Sequence, residues 1–290
     1  MPRVSIAVPA YNCEAYIAQS LDSLLGQTYG DFELVISDNA STDGTEEICR
    51  RYAARDSRVR YFRRADNIGG PGNFRYVFSL CEGQYHKWST ADDFWDTAFL
   101  QKSVALLDQR ADVVLCYPKT RLVDPDGQTI EDYEDNLHLI SDSPRQRFTD
   151  LLTHIGLCNA HLGLIRRAAM LRTRLIGAEQ NSDTHFLAEM SLYGKFWLIP
   201  EWLFFRRYHE QSSSWNRTDA EHQRAYYAPG GRAYFGMHTW RRYVHLSRAV
   251  WKAPIAATEK LGLTGELLRR AMWDRRMLWR ELRARAAGAE

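Results

Sequence analysis

The sequence predicts an α/β protein with a mostly parallel central sheet, helices on both faces and a helical C-terminal extension. Three observations carry that expectation. Apolar, β-branched runs alternate with helical patterns as strand, helix, strand, helix, strand within the first 62 residues, the signature of parallel strands joined by crossover helices. The early strands end in polar clusters, Tyr11 with Asn12, Asp38 with Asn39 and Asp92 with Asp93, which parallel topology gathers at one sheet edge. Beyond Asn216 the composition shifts to Arg, Trp, Tyr and Ala. Residues 216–290 hold 15 Arg or Lys against 7 Asp or Glu (net +8), whereas the first 215 hold 23 against 29 (net −6).

In chain order, Val4 to Val8 is a buried strand ending at Pro9, and Glu14 to Leu25 places Ile17, Leu21, Leu24 and Leu25 at helical spacing. Phe32 to Ser37 is the second strand and delivers Asp38. SDNASTDGT then offers capping residues ahead of a helix from Thr45 to Ala54, and Arg58 to Phe62 is the third strand. ADNIGGPGNF, residues 65–74, is a loop whose glycines permit unusual backbone angles. A short helix from Phe74 to Leu80 and a strand from Gln84 to Ser89 lead to the Asp pair.

The second half reads as a helix (Phe99 to Leu107), a strand (Val113 to Tyr117) and a hairpin of residues 119–123 and 128–131 around the turn VDPDGQT. Asp132 to Asp142 is an acidic, irregular stretch with the composition of a mobile loop. A helix from Arg147 to His154, a strand from Ala160 to Ile165 and a helix from Asp183 to Tyr193 follow. Two strands, Phe196 to Ile199 and Leu203 to Arg206, precede the polar loop RRYHEQSSSW, residues 206–215. Within Thr264 to Arg285, Leu267, Leu268, Ala271, Leu278 and Leu282 share one helical face, with arginines elsewhere. Such a stripe suits an anionic membrane surface, and equally the protein's own core or a homodimer formed through the C-terminal helices.

At 290 residues, 45% hydrophobic and 26% charged, the chain is an ordinary globular protein long enough to bury a real core. Its five cysteines are scattered without a C-x-x-C pair, which argues against a zinc site or disulfide framework and for a reducing compartment. No signal-peptide pattern opens the sequence and no run of about 18 apolar residues occurs. The expected location is cytoplasmic, peripheral on the inner face of the cell membrane. A basic tail also suits nucleic acid, but nothing here has the pattern of a nucleic-acid module.

The stretch KWSTADDFW, residues 87–95, organises the chemistry. Adjacent carboxylates are costly unless a cation or donors neutralise them, and hard cations such as Mg2+ take one or two carboxylates plus substrate phosphate oxygens. By itself an Asp pair also fits an exposed acidic turn. VSIAVPAYN, SDNASTDGT, DNIGGPGN, the Asp pair and SDTHFLAEMSLYGKFWLIPEWLFFRRYHEQSSS occur in that order, and together they resemble the family-2 glycosyltransferases of the GT-A fold over roughly residues 3–215.

The resemblance implies a nucleotide-sugar-binding half (1–95), an acceptor-binding half (96–215) and the basic, Trp-rich extension (216–290). It implies that Pro9, Ala10, Tyr11, Asn12 and Asp38 hold the nucleotide base, with Asn67 and Gly69 against the nucleotide. Asp92 falls near the ribose, and Asp93 near a Mn2+ or Mg2+ ion and the diphosphate. Asp183 matches the catalytic base and His209 a metal or diphosphate ligand, while Arg206 and Arg207 help neutralise the diphosphate. Two positions depart from the usual pattern: Thr90 and Ser182 stand where acidic residues are common. Asp38 and Asp183 are also good helix caps. His86, His161 and His185 lack metal-ligand spacing and read as structural, although His161 and Asn159 fall where the acceptor half lines the cleft. Trp88 and Trp95 read as core.

The implied activity is inverting, metal-dependent transfer from a UDP- or dTDP-sugar to a saccharide or lipid-linked saccharide, in surface polysaccharide or glycan biosynthesis. A nucleotidyltransferase lacks its N-terminal Gly-rich, basic signature here, and a dehydrogenase lacks G-x-G-x-x-G after the first strand. A catalytically silent sugar-nucleotide or carbohydrate-binding protein is the rival from another class.

Overall fold

Val4, Ile6, Ala7 and Val8 have no solvent exposure, as a strand covered on both faces requires. In the computed structural model, which describes residues 1–210, 212, 220–227, 229 and 236–286, they lie in β1 (Val4–Ala10), at the centre of the N-terminal half. Around it come α1 (Ile17–Leu25), β2 (Phe32–Asp38), α2 (Thr45–Arg55), β3 (Val59–Arg63), α3 (Gly70–Ser79) and β4 (Tyr85–Trp88). These strands pair in parallel in the order β3-β2-β1-β4, with Ala10 opposite Asp38 and Ala7 opposite Trp88. The carboxyl ends of β1 and β2 therefore lie side by side, and the chain leaves β4 for Asp92 at the same edge.

The rest of the sheet is mixed. It comprises β5 (Phe94–Trp95), β6 (Val113–Val123), β7 (Thr129–Tyr133), β8 (Leu164–Arg166) and β9 (Lys195–Arg207), continuing as β4-β8-β6-β9-β5 with β7 hairpinned onto β6. α4 (Phe99–Gln109), α5 (Pro144–His154), α6 (Arg167–Met170) and α7 (Ser182–Ser191) are threaded between these strands. Ser143 caps α5 by accepting the Gln146 N–H at 3.2 Å, with Pro144 in the first turn where no N–H is needed.

Several boundaries differ from the sequence reading, each for a local reason. β6 and β9 are single long strands rather than two short ones each. Their register shifts where Pro118 pairs with Ile199 and Lys119 with Trp202, and the bulge absorbs Pro200, which has no N–H for the ladder. In place of a strand from Ala160, residues Asn159–Leu162 form a single 3-10 turn, entered through Cys158 in the left-handed conformation (φ 67°), before β8 begins. Gly163 is required there, because a Cβ would strike the Cys116 carbonyl oxygen.

The acidic stretch after β7 is anchored. Leu137 and Leu139 are buried, and the Leu137 N–H donates to the Tyr117 hydroxyl at 2.8 Å. Asp135 is buried with it. Its Oδ1 accepts the Asn159 N–H at 3.2 Å, Oδ2 has no partner among the described residues, and burial pushes the carboxyl up to about 6. As pH rises above the ordinary carboxylate range the unfolded chain ionises while the folded chain keeps its proton, so stability falls until about pH 6 and is flat above it. Asp135→Asn should therefore add on the order of 2 kcal/mol at pH 7.5 and little at pH 4.5. Thermal melts at the two pH values check this, and an equal gain at both rejects it.

The C-terminal layer holds α8 (Ala220–Tyr227), α9 (His238–Lys252), α10 (Ala257–Trp273) and α11 (Arg275–Ala286). α9 packs on α7, and α10 on α5 and α9. The single helix expected over Thr264 to Arg285 is broken at Asp274, whose carboxylate accepts the Tyr243 hydroxyl at 2.6 Å. Leu267 is buried, but Leu268, one residue round the helix, is 63% exposed, so the expected apolar face is not a single packed stripe. No helix among the described residues is long and apolar enough to cross a membrane. Of the expected loop after β9, Gln211 and residues 213–215 lie outside the described residues.

Candidate active site

Asp92 and Asp93 follow β4, and their environments differ sharply. Asp93 is almost fully buried. Its Oδ1 accepts the Arg207 N–H at 2.7 Å, its Oδ2 accepts the Thr90 hydroxyl, and burial together with the charge of Asp92 raises its carboxyl to about 7. Thr90, standing where an acid is common, thus serves as a donor to the buried carboxylate. Asp92 is the more accessible of the two, and its Oδ2 lies 2.9 Å from His209 Nε2. Tyr16 packs on the His209 ring at 4.7 Å between centroids.

Beneath the pair sits a residue the sequence reading passed over. Lys87 is fully buried, donates to the Trp88 and Leu162 carbonyls at 3.3 and 2.9 Å, and lies 3.0 Å from the centre of the Trp95 ring. Burial holds its amine well below the ordinary lysine range, and the opposing influence comes from Asp93.

Arg207 is buried and acts as a clamp. Its guanidinium donates to the Asp92 carbonyl at 3.0 Å, to the Asp124 carbonyl at 3.2 Å, and to Pro125 and Gln19, tying β9 to the Asp pair, the β6–β7 turn and α1. Arg206 is the less buried of the two and donates to the Leu157 carbonyl at 3.0 Å and to Asn159.

Asp183 lies in the first turn of α7, where a carboxylate is favoured, and its Oδ1 accepts the Thr184 N–H at 2.8 Å. It shares a cavity of about 280 Å³ with Asp92, Asp93, Arg206 and Arg207. These residues, up to 115 positions apart in sequence, are brought together. His161, read from sequence as structural but also as a candidate for lining the cleft, does line this cavity. Its Nδ1 sits 2.6 Å from the Cys158 carbonyl, and one of its ring nitrogens lies within 4.8 Å of both the Asp183 carboxylate and the Cys158 sulfur. Burial holds the Cys158 thiol well above its ordinary range, so it stays protonated and is a poor ligand. For a hard cation the better donors are the Asp pair and His209.

The residues expected to hold the base form a neighbouring network and do not line that cavity. Asp38 has no solvent exposure; its carboxylate accepts the Ser41 N–H at 2.8 Å and the Tyr61 hydroxyl at 2.7 Å. Asn12, in the left-handed region (φ 44°), accepts the Thr42 N–H at 2.9 Å. Pro9 and Ala10 finish β1, and Tyr11 is half exposed beyond them. Asn67 Oδ1 accepts from Asn39 Nδ2 and from the Gly69 N–H at 2.7 and 2.8 Å. Asn73, which the sequence did not single out, donates to the Ser37 carbonyl at 2.8 Å and accepts its hydroxyl at 2.5 Å, pinning α3 to the strand ends.

Gly69 and Gly70 have a second explanation. A Cβ on Gly69 (φ 79°) would lie 3.0 Å from the Tyr226 carbonyl oxygen, and one on Gly70 would enter the Tyr226 ring. α8 thus seats on this loop and contributes Gln223, Tyr226 and Tyr227 to the cavity wall. Alanine is intrinsically favoured over glycine in a helix by about 1 kcal/mol. A lower melting temperature for Gly70→Ala would therefore report the Tyr226 contact, and that is the expected result; a higher one rejects the contact.

An α/β sheet that gathers an acidic pair, a carboxylate in the first turn of a helix and two arginines around one cavity has the architecture of the GT-A fold. Residues 5–171 match the family described as glycosyl transferase family 2, and the chain belongs to that family. The putative glycosyltransferase EpsE of Bacillus subtilis is 36% identical over 109 residues, covering 37% of this chain and 39% of EpsE. The chain spans about two fifths of the length of the curated relatives it matches. Staphylococcus aureus TarS, solved in complex with UDP, superposes with a TM-score of 0.67 at 16% identity, covering 93% of this chain and 71% of that one. The mannosyltransferase PcManGT of Pyrobaculum calidifontis, solved with GDP-Man and Mn2+, gives 0.55 at 19% identity, covering 99% and 75%. At these identities the two structures establish the GT-A fold.

Proposed function

We propose that this protein is an inverting glycosyltransferase that moves a sugar from a UDP- or dTDP-linked donor to a hydroxyl of a saccharide or lipid-linked saccharide, in surface polysaccharide or glycan assembly. The observation that carries this reading is the convergence of Asp92, Asp93, Arg206 and Asp183 on one cavity. Asp183 takes the proton of the acceptor hydroxyl, which attacks the anomeric carbon from the face opposite the departing diphosphate. Arg206 offers positive charge to that diphosphate. Asp92, the less buried of the pair, would hold Mn2+ or Mg2+ with His209, whose Nε2 lies 2.9 Å from its Oδ2, and Asp93 adds a buried carboxylate beside them. When bound, the cation neutralises charge on the leaving group. Pro9, Ala10, Tyr11, Asn12, Asp38, Asn67 and Gly69 border the base and ribose at the neighbouring strand ends.

For partners, the basic, Trp-bearing C-terminal layer favours an acceptor held at an anionic membrane surface on the cytoplasmic side. Exposed Trp251, Leu261, Leu268, Met272 and Trp279 support that location. Thr90 and Ser182 in place of acids favour the rival reading of a silent binding protein. Incubation with UDP-, dTDP-, GDP- and CDP-sugars and Mn2+ separates the two: slow metal-dependent hydrolysis of one donor supports the enzyme, and binding with no turnover of any donor supports the silent form.

A further inference from the structure

A second cleft, of about 560 Å³, lies beside α9 and is distinct from the cavity of the acidic pair. One face of α9 supplies most of it: Trp240, Val244 and Arg248 recur every four residues, with Arg241 and His245 alongside. Arg285 enters from α11, its Nη1 lying 3.1 Å from Met237 Sδ. Three guanidinium groups therefore border one apolar floor. The one carboxylate among the described lining residues, Glu179, is turned to other partners: it pairs with Arg174, and its Oε1 lies 3.3 Å from His185 Nδ1 and 3.7 Å from His245 Nε2.

Glu179 also fixes where the cleft stands relative to the chemistry. It is followed by Gln180, Asn181, Ser182 and Asp183, all of which line the catalytic cavity. Glu179 and Asp183 are four residues apart, so their Cα atoms are separated by at most about 14 Å of extended chain. One short segment, residues 179–183, thus lines both the cleft and the cavity.

Guanidinium forks bind phosphate oxygens in pairs, and an exposed Trp face beside them accepts the apolar side of a sugar ring or an acyl chain. We infer that this cleft binds a phosphate group carried by the acceptor, holding it while the hydroxyl to be glycosylated reaches Asp183. The inference rests on the transferase reading above and adds an acceptor class to it, a phosphate-bearing one. Two sources share this chemistry, a lipid headgroup or lipid-linked phosphate at a bilayer and a phosphate ester on a soluble saccharide.

The test uses the full chain with Arg248→Glu, which alters an exposed side chain, and Arg241→Ala as a second variant. Binding is measured to glucose 1-phosphate with the donor cavity saturated by UDP and Mn2+, and to phosphatidylglycerol vesicles against phosphatidylcholine vesicles. Donor hydrolysis is measured in parallel. Loss of about tenfold or more in affinity for either probe, with hydrolysis unchanged, is the expected result. Loss for the vesicles alone assigns the phosphate to a lipid, and loss for the sugar phosphate identifies a soluble or saccharide-borne group. Unchanged affinity for both probes in both variants overturns the site. Absence of donor hydrolysis in the unaltered protein counts instead against the transferase reading, so the two failures are separable.

Discussion

Asp183→Asn will cut sugar transfer by roughly a hundred- to ten-thousand-fold, the range that a positioned general base contributes, while nucleotide affinity stays within about twofold. The substitution is nearly isosteric. Asn keeps an oxygen for the Thr184 N–H that now bonds Asp183 Oδ1 at 2.8 Å, so this contact in the first turn of α7 remains. What disappears is the capacity to accept a proton. A merely structural Asp183 would show the opposite profile, with activity near that of the unaltered protein and a small change in melting temperature. Single-turnover transfer alongside nucleotide titration distinguishes these outcomes, and a fully active variant removes Asp183 from the chemistry.

Asp93→Asn is expected to have the second largest effect. Asparagine can accept the Arg207 N–H and donate to the Thr90 hydroxyl in place of the carboxylate's two bonds. The fold should therefore persist, and because a buried charge is costly its stability at neutral pH should rise or stay level. The negative charge under Asp92 and His209 is lost, so Mn2+ should enhance nucleotide binding at least about tenfold less than in the unaltered protein. A chelator should reduce binding by the unaltered protein to the level of the variant. If the variant keeps its full response to Mn2+, the buried carboxylate has no part in the cation site. A collapse of stability at neutral pH would mean that the ionised form of Asp93 is needed by the fold itself.

Much of this architecture was legible in the residues because the signals were local and repeated. β1 and β2 are mostly apolar runs, buried along almost their whole length. α1 shows Ile17, Leu21 and Leu24 on one side, and all three are fully buried. The hairpin of β6 and β7 followed from the Pro, Asp and Gly of its turn. Features set by long-range contact were harder to read. The continuity of β6 through Pro118 depends on a bulge against β9, and Pro alone signals a break. The 3-10 turn at Asn159 depends on how closely Gly163 approaches the Cys116 carbonyl, a contact between residues 47 positions apart.

The same division runs through the site. The acidic pair, Asp183 and His209 could be picked out by type and order, and the structure groups Asp92 with His209 and sets both carboxylates of the pair in one cavity with Asp183. The inequality within the pair could not be read, since Asp93 is buried by Arg207 and Thr90 while Asp92 stays accessible. His161 was expected at the cleft only through the resemblance, and Tyr226 was not expected there at all. A histidine three residues after Cys158 has no distinctive spacing, and its approach to Asp183 arises only when the 3-10 turn folds beside α7. Gly69 and Gly70 did signal a close approach of some kind; that α8 is the approaching element required coordinates. Lys87 carried a weaker clue, a charge inside an otherwise buried strand next to Trp88.

Donor binding and proton removal are proposed to occur in the same cavity. A crystal structure with UDP and Mn2+ tests this most directly. It should show the diphosphate and the ion between Asp92 and Arg206, with Asp183 facing the position that the anomeric carbon of a donor would take. A nucleotide seated in the α9 cleft, or anywhere that leaves its diphosphate on the opposite side of the molecule from Asp183, would contradict it.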